Sequence, residues 1–403
     1  MGRSPRPGER RRQRSRRRHL GPPRPVTHPV VRGLLLLAVA SGLVPVATVG
    51  VRPTAAGADD DATAAAVAFL LDQQAPDGGF GPGVLTPDAV SAIAQQAQRS
   101  GSWSAKEAID AVAAVETANG TTPLDALDAA AQADPTPEAA AQLISRAVVA
   151  MGLDPENFDP AADGDPVDLV ELVATGRGPD GSYGSLHATA EAVLALALVG
   201  GTVDPATVSY LEDAQQDNGG WNSDGDPGTR LVDPATTGLV VEALVAAGVP
   251  AQGSTPVTRA LAFLARAQQH SGGWPAARDG AVDPVATAWA MGAIRAAGYD
   301  PAQVCWRDAA GATDRADTPP ADALTAGQTS DGAIAGGIDP VASTALGVQA
   351  LIGHWLPISR AAAVPCAEDT GGGFPITASM VILVVLAVVL IGGSVSIMRR
   401  GSA

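Results

Sequence analysis

Three groups of residues in this 403-residue chain have the types and spacing that chemistry requires. Asn222-Ser223-Asp224-Gly225-Asp226-Pro227-Gly228 sets side-chain oxygens at positions 1, 3 and 5, with Asp233 at position 12. Asn222, Asp224 and Asp226 are therefore candidate ligands of a calcium loop. Pro227 replaces the expected Gly, Asp233 replaces Glu and Arg230 stands at position 9, so a plain polar turn is the competing reading. Asp163-Gly164-Asp165 is a weaker echo of the pattern. Cys305 and Cys366 form the second group, suited to a disulfide in an oxidising compartment. Closing a loop of about 60 residues would stabilise by roughly 4 kcal/mol in the chain-entropy model. Two buried thiols or a zinc pair are the alternatives; zinc is poorly served, since only His187, His270 and His354 remain beyond the N-terminal region. The third group is those histidines. No G-x-S-x-G accompanies them. His187 sits at a helix start, His270 in a turn and His354 at a helix end, where a cation suits the dipole.

The elements that must position these residues recur. Helix starts fall at Pro87, Pro137, His187, Pro234, Pro284 and Pro340, in steps of 50, 50, 47, 50 and 56 residues. A fixed period near 50 marks a repeat architecture whose units cannot bury their apolar faces alone. Thr86-Pro87, Thr136-Pro137, Asp233-Pro234, Asp283-Pro284 and Asp339-Pro340 each read as an N-cap followed by proline at the first helical position. Gly101, Gly152, Gly200, Gly248 and Gly298 read as helix stops. The helices so bounded are apolar almost all round, as in Ala188–Val199 (ATAEAVLALALV), and such helices are buried on every side. More amphipathic outer candidates alternate with them at 61–74, 104–118, 165–176, 205–216, 255–269 and 319–328, and 121–134 is a candidate for a further short helix. No stretch alternates with period two. The expected fold is all-α, six inner and six outer helices in one closed double ring.

A second marker ends the outer helices. It reads Gln73-Gln74-Ala75-Pro76-Asp77-Gly78-Gly79-Phe80, then Gln215-Gln216-Asp217-Asn218-Gly219-Gly220-Trp221, then Gln268-Gln269-His270-Ser271-Gly272-Gly273-Trp274. Worn copies begin at Pro179 and Gln328. Glutamine can bond exposed backbone, the glycines allow a tight turn and the ring covers it. Taking Gln73, Gln215 and Gln268 as the motif glutamines, this marker resembles the QW repeat of the terpenoid-cyclase and protein-prenyltransferase superfamily, over most of residues 61–355. The resemblance implies an (α/α)6 toroid. With its signals at both ends and its alanine-rich, lysine-poor composition, the chain is similar to the exported repeat proteins of actinobacteria. The family's activities do not carry over residue by residue. Class II cyclases protonate an alkene with the middle acid of an Asp-x-Asp-Asp-Thr-Ala motif. The matching positions here hold Ala235, Val285 and Val341, and the preceding Asp233, Asp283 and Asp339 read as caps. Prenyltransferase zinc ligands are not at the family's positions, Cys-Gly-Glu-Gln is absent, and Trp289 is the one inner-helix tryptophan suited to a cation.

The ends suggest export. Residues 1–32 hold eleven arginines, an apolar run follows, and Ala56-Gly57-Ala58 suits signal cleavage, so residues 1–58 read as a basic N-region and signal peptide; a nucleic-acid-binding arm is the alternative. Residues 59–356 hold the repeats, and 357–378 form a linker. Pro375 and Thr377 in Phe374-Pro375-Ile376-Thr377-Ala378 resemble a sortase sorting signal, with Phe and Ala for the usual Leu and Gly. Residues 379–397 carry no charge and are long enough to cross a bilayer, ahead of the basic tail 398–403. Membrane anchorage by this helix, or wall linkage by a sortase, is expected, with the repeats outside the cell. The chain carries −16; without residues 1–58, 14 basic face 41 acidic residues, a net −27 that repels nucleic acid. The functional expectation is a non-catalytic exported repeat protein, binding a small ligand or a surface protein with no cofactor beyond calcium. A cyclase- or prenyltransferase-like enzyme acting on a lipid is the alternative.

Overall fold

The computed structural model describes residues 56–99, 103–133, 135–223, 225, 233–277, 280–311 and 318–353. Residues 1–55 and 354–403 lie outside this set, and with them most of the expected signal, the sorting motif at Pro375 and Thr377, and the expected span 379–397. Among the described residues no helix is long and apolar enough to cross a membrane.

The described chain is helical, with isolated β-bridges and no strand. Its elements are α1 (Ala56–Asp72), α2 (Leu85–Ala97), α3 (Ala105–Ala113), α4 (Pro123–Gln132) and α5 (Pro137–Leu143). Helix α5 runs through a π turn (Ile144–Val148) into α6 (Val149–Met151). Then come α7 (Leu169–Thr175), α8 (Leu186–Leu198), α9 (Pro205–Asp213), α10 (Pro234–Ala246) and α11 (Thr255–Ala267). The last are α12 (Pro284–Ala296), α13 (Cys305–Ala309), α14 (Pro320–Ala326) and α15 (Pro340–Ile352).

Five of the six expected inner-helix starts match the repeat. Asp233, Asp283 and Asp339 accept backbone N–H groups at 2.5–3.1 Å, and Ser185 and Thr136 do the same at 3.0 and 3.2 Å. The first start departs from expectation. Helix α2 begins at Leu85, ahead of Pro87, with Val84 at its N-cap and no side-chain cap. Thr86 is already helical and has another task, described below.

The apolar helices pack in a chain of contacts: α2 on the α5–α6 helix, that helix on α8, α8 on α10, α10 on α12, α12 on α15, and α15 back on α2. Helix α1 packs against both α15 and α2, α7 against α5 and α8, α9 against α8 and α10, α11 against α10 and α12, and α14 against α12 and α15. In the second repeat the structure corrects the sequence reading. Helix α4, the supposed addition, precedes α5 and packs on α2 as an outer helix does, whereas α3 (expected at 104–118) is the extra element, lying on α2, α6 and α4. Helices α1, α9, α11 and α14 also stop earlier than their amphipathic pattern suggests, because their terminal glutamines belong to the turns.

Those turns join neighbouring repeats. Gln215 Nε2 donates to the Gly219 carbonyl at 2.9 Å and to Pro256 O, on the next outer helix, at 2.8 Å. Gln328 Nε2 likewise bonds Gly332 O at 3.0 Å and Ala62 O of α1 at 2.8 Å. Gln268 Nε2 donates to Gly272 O at 2.6 Å, and its Oε1 accepts from Arg307. In the first turn this work falls to Gln74, which reaches Gly78 O at 3.1 Å and Val115 O at 3.4 Å. Gln73 is therefore not the motif glutamine: it is exposed and lines a groove with Phe69, Asp339 and Ser343. The spacing explains the correction, since Gln74, Gln215 and Gln268 each stand four residues before their glycine.

That glycine is required twice over. Gly219 has φ +92°, and a Cβ there would lie 2.2 Å from Arg259 O of α11. Gly78, Gly272 and Gly332 repeat the arrangement against Thr122 O, Pro319 O and Ala65 O at 2.1, 2.5 and 2.2 Å. Only glycine combines this backbone with such approach. The indole Nε1 groups of Trp221 and Trp274 donate to Leu211 O and Leu264 O at 2.7 and 2.8 Å, in the preceding outer helices. A threonine completes each joint. The backbone N–H groups of Phe80, Tyr183, Trp221, Trp274 and Ile334 donate to Thr86, Thr189, Thr237, Thr287 and Thr344 Oγ1 at 2.9–3.1 Å. These hydroxyls sit in the first turn of each following inner helix, so the turn is fastened at both ends.

Two apolar cores result. One gathers Trp221, Trp274 and Trp306 with α8, α10, α12 and α15; the other gathers Phe80, Phe158 and Leu127 with α2, α4, α5 and α7.

Candidate functional site

The strongest chemistry lies between the inner helices, at residues whose apolar surroundings hid them. Arg146 stands in the π turn of the α5–α6 helix and is 7% exposed. Such turns displace one residue from the regular ladder and frequently mark functional sites. Its Nε donates to Asp88 Oδ1 of α2 at 2.7 Å. Its Nη1 and Nη2 donate to Glu191 Oε2 and Oε1 of α8 at 2.9 and 2.7 Å, a bidentate pair. Ser145 Oγ adds a bond to Glu191 Oε2 at 3.3 Å. The guanidinium carbon lies 5.8 Å from the ring centroid of Trp289, on α12. The site thus draws on four inner helices.

Glu191 and Asp88 are both buried, at 0% and 2% exposure, so solvent contributes little to their charge. One guanidinium faces two carboxyl groups. Burial works against Glu191's charge, but Arg146 beside it wins and holds its pKa below the usual range. Asp88 has the poorer share. Burial pushes its pKa up to about 6, Arg146 pulling down and Glu191 pushing further up. Burial also opposes Arg146's charge, and Glu191 and Asp88 together keep it protonated. The arrangement can hold a proton on Asp88 in mildly acidic solution, up to about pH 6, and release it to leave a carboxylate beside a fixed cation.

A neutral polar cluster continues from Asp88. Gln349 of α15 donates to Asp88 O at 3.4 Å, and its Oε1 accepts from Ser91 Oγ at 3.0 Å and Gln95 Nε2 at 3.2 Å. His187 lies outside the cluster, half-exposed, its Nδ1 3.0 Å from Glu138 Oε1.

The residues singled out in sequence fall elsewhere. Asn222 is buried just after Trp221, while Asp224 and Asp226 lie outside the described residues. Asp233, the twelfth position of that loop, turns both carboxylate oxygens to Thr236 as the cap of α10. Asp283 and Asp339 are caps too. His270 is exposed in its turn. Cys305 is disulfide-bonded, and the chain's other cysteine, Cys366, lies outside the described residues. Gln215, Gly219, Gly220, Trp221, Gln268, Gly272, Gly273, Trp274, Gly78, Gly79 and Phe80 all stand in the turns. The acid positions at the helix starts hold Ala235, Val285 and Val341, as read, yet carboxyl groups do stand between the inner helices, at Asp88 and Glu191. The signal is legible in retrospect. Arg146 is the one cation of the α5–α6 helix and Glu191 the one carboxylate of α8, both amid apolar residues, and a buried charge demands a partner.

No family model matches the sequence, and no curated protein does either. Among solved structures, the type II terpene cyclase MstE from Scytonema, without ligand, matches with TM-score 0.51 and 15% identity over 75% of this chain and 98% of that one. A single-residue variant of the same cyclase, in complex with its product merosterolic acid A, matches with TM-score 0.50 and 16% identity over the same shares. This chain therefore has a terpene-cyclase-like all-α fold.

Proposed function

We propose that this chain is an (α/α)6 toroid acting on a terpenoid-like lipid held between its inner helices, with Asp88 as the proton donor. The observation that carries the reading is the buried Asp88–Arg146–Glu191 cluster beside Trp289, in a fold shared with a terpene cyclase. In the first step the Asp88 O–H bond breaks as a C–H bond forms from an alkene's electron pair. The new carboxylate is stabilised by Arg146, and Glu191 holds the guanidinium in place. Loss of a proton from the product cation closes the balance. The likeness to MstE supports the lipid-directed reading at the level of fold, more than it supports a non-catalytic role.

The runner-up is a non-catalytic ring that binds a small ligand or surface partner. One feature favours it: Arg146 reaches Trp289 and occupies space between the helices. On either reading the sequence still argues for export and anchorage, with residues 1–58 as leader, 379–397 as membrane helix, a sortase as partner if Pro375 and Thr377 are read by one, and Cys305 paired with Cys366.

The test is incubation of the full chain with squalene and geranylgeranylated phenols, followed by mass spectrometry for cyclised isomers of unchanged mass. Product formation by the wild type and its loss in Asp88→Asn supports the proposal. A lipid recovered bound but unconverted favours the runner-up, and equal turnover by Asp88→Asn rules out this acid.

A further inference from the structure

Away from the ring's centre, Asp128, Asp159 and Asp163 bring carboxylate oxygens within 4.8 Å of one another. Asp128 comes from the middle of α4, and the other two from the loop between α6 and α7. That loop is pinned at its neck by mutual Phe158 and Val167 backbone bonds of 3.0 Å. Its own geometry is partly self-made: Asp159 Oδ1 and Oδ2 accept from Asp163 N and Gly164 N at 3.0 Å, and Asp163 Oδ1 accepts from Asp165 N at 3.1 Å. Gln132, at the end of α4, donates to Asp165 O and holds the loop against the helix.

Asp128 is different. The residue is 6% exposed, and its Oδ1 is buried with no hydrogen-bond partner among the described residues. None of the three carboxylates belongs to an ion pair there. A buried carboxylate oxygen left without a donor is costly unless something cationic meets it. Burial raises Asp128's pKa, and the charges of Asp163, Asp159, Asp165 and Asp125 raise it further, so the protein itself supplies only repulsion.

We infer that Asp128, Asp159 and Asp163 form a divalent-cation site, best suited to calcium, that fastens the loop between α6 and α7 onto α4. The donors are all hard oxygens, three of them anionic, on a short loop able to adjust to a large ion; no imidazole or thiolate is present to favour a transition metal. The site is separate from the Asn222–Asp226 loop and from the Arg146 cluster.

The test is thermal unfolding of the full chain in excess CaCl2, in MgCl2 at matched ionic strength, and in EDTA. Calcium should raise the melting temperature by about 3–6 °C over EDTA. Magnesium should do less, because it demands tighter octahedral geometry. Asp128→Asn should lose the calcium response and melt above the wild type in EDTA, since it removes one repelling charge. Asp163→Asn, which keeps the oxygen that accepts from Asp165 N, should lose the response as well and serves if Asp128→Asn does not fold. Equal melting in CaCl2 and EDTA, an equal rise in MgCl2, or an undiminished calcium response in both variants would each overturn the site.

Discussion

The stretch from α8 to α15 and the stretch from α1 to α7 build comparable contacts from different materials. In the later stretch each inner helix opens on a capping Ser or Asp, the turns carry Trp221 and Trp274, and a buried threonine fastens each turn. In the earlier one α2 has no cap, the α5 helix carries a π turn, an extra helix α3 intrudes and no glutamine turn precedes α5. Arg146, Asp88 and the three-aspartate cluster all sit on this irregular side. Regular repeats commit the polar groups of their caps and turns to joints, and lend Glu191 and Gln349 to the neighbouring site. Where the repeat lapses, polar groups are released from joint-making and can gather into sites.

The comparison breaks most sharply at Arg146. Arg146→Ala strands two buried carboxyl groups and should cost about 3–5 kcal/mol in urea unfolding. A loss under about 1 kcal/mol, the value of exposed pairs, would mean the irregular side is not electrostatically committed. Replacing Arg146, Asp88 and Glu191 together by apolar residues should recover much of the loss, and a variant so restored yet inactive toward lipid would separate chemistry from stability.

A second effect, of about 3 kcal/mol, concerns pH. Asp88 binds its proton more tightly folded than unfolded, with a pKa of about 6 against an ordinary 3.8. Its contribution is therefore complete below the unfolded value and is lost as pH rises through about 6. Stability of wild type relative to Asp88→Asn should fall between those limits; a flat difference would show that Arg146 fully offsets the burial of Asp88's charge. The smallest effect tests the regular side. Thr237→Val removes the acceptor of the buried Trp221 N–H and should cost about 1–3 kcal/mol, without altering any pH profile. An unchanged melting temperature would refute the threonine joint.

Much of the scaffold is legible in the sequence because its signals are local. Asp233-Pro234 and Asp283-Pro284 announce a cap and a first turn wherever they occur, and the Gly219-Gly220-Trp221 turn follows from backbone sterics. Legibility fails where one pattern extends to a place that lacks it. Thr86 resembles the capping threonine Thr136, yet it is the counterpart of Thr237, fastening Phe80. Gln73 and Gln74 are neighbours of one type; the four-residue spacing to Gly78 singles out Gln74, and its bonds to Gly78 O and Val115 O bear that out. The site is less legible for the same reason. Asp88 and Glu191 stand 103 positions apart and meet only through Arg146. Asp128 joins Asp163 only because α4 takes the outer place that periodicity gives to α3.

Gln328 and Gly332, in the last turn, seat themselves on carbonyls of α1, the first helix. An open stack of repeats frays from its ends and needs specialised terminal units to shield them from water. Here the first and last of the described helices cover each other, so among the described repeats unzipping has no preferred place to begin. Weakening any one seam should be felt all the way round, and cutting the polypeptide in an exposed connection should matter less than loosening the seam between α15 and α1.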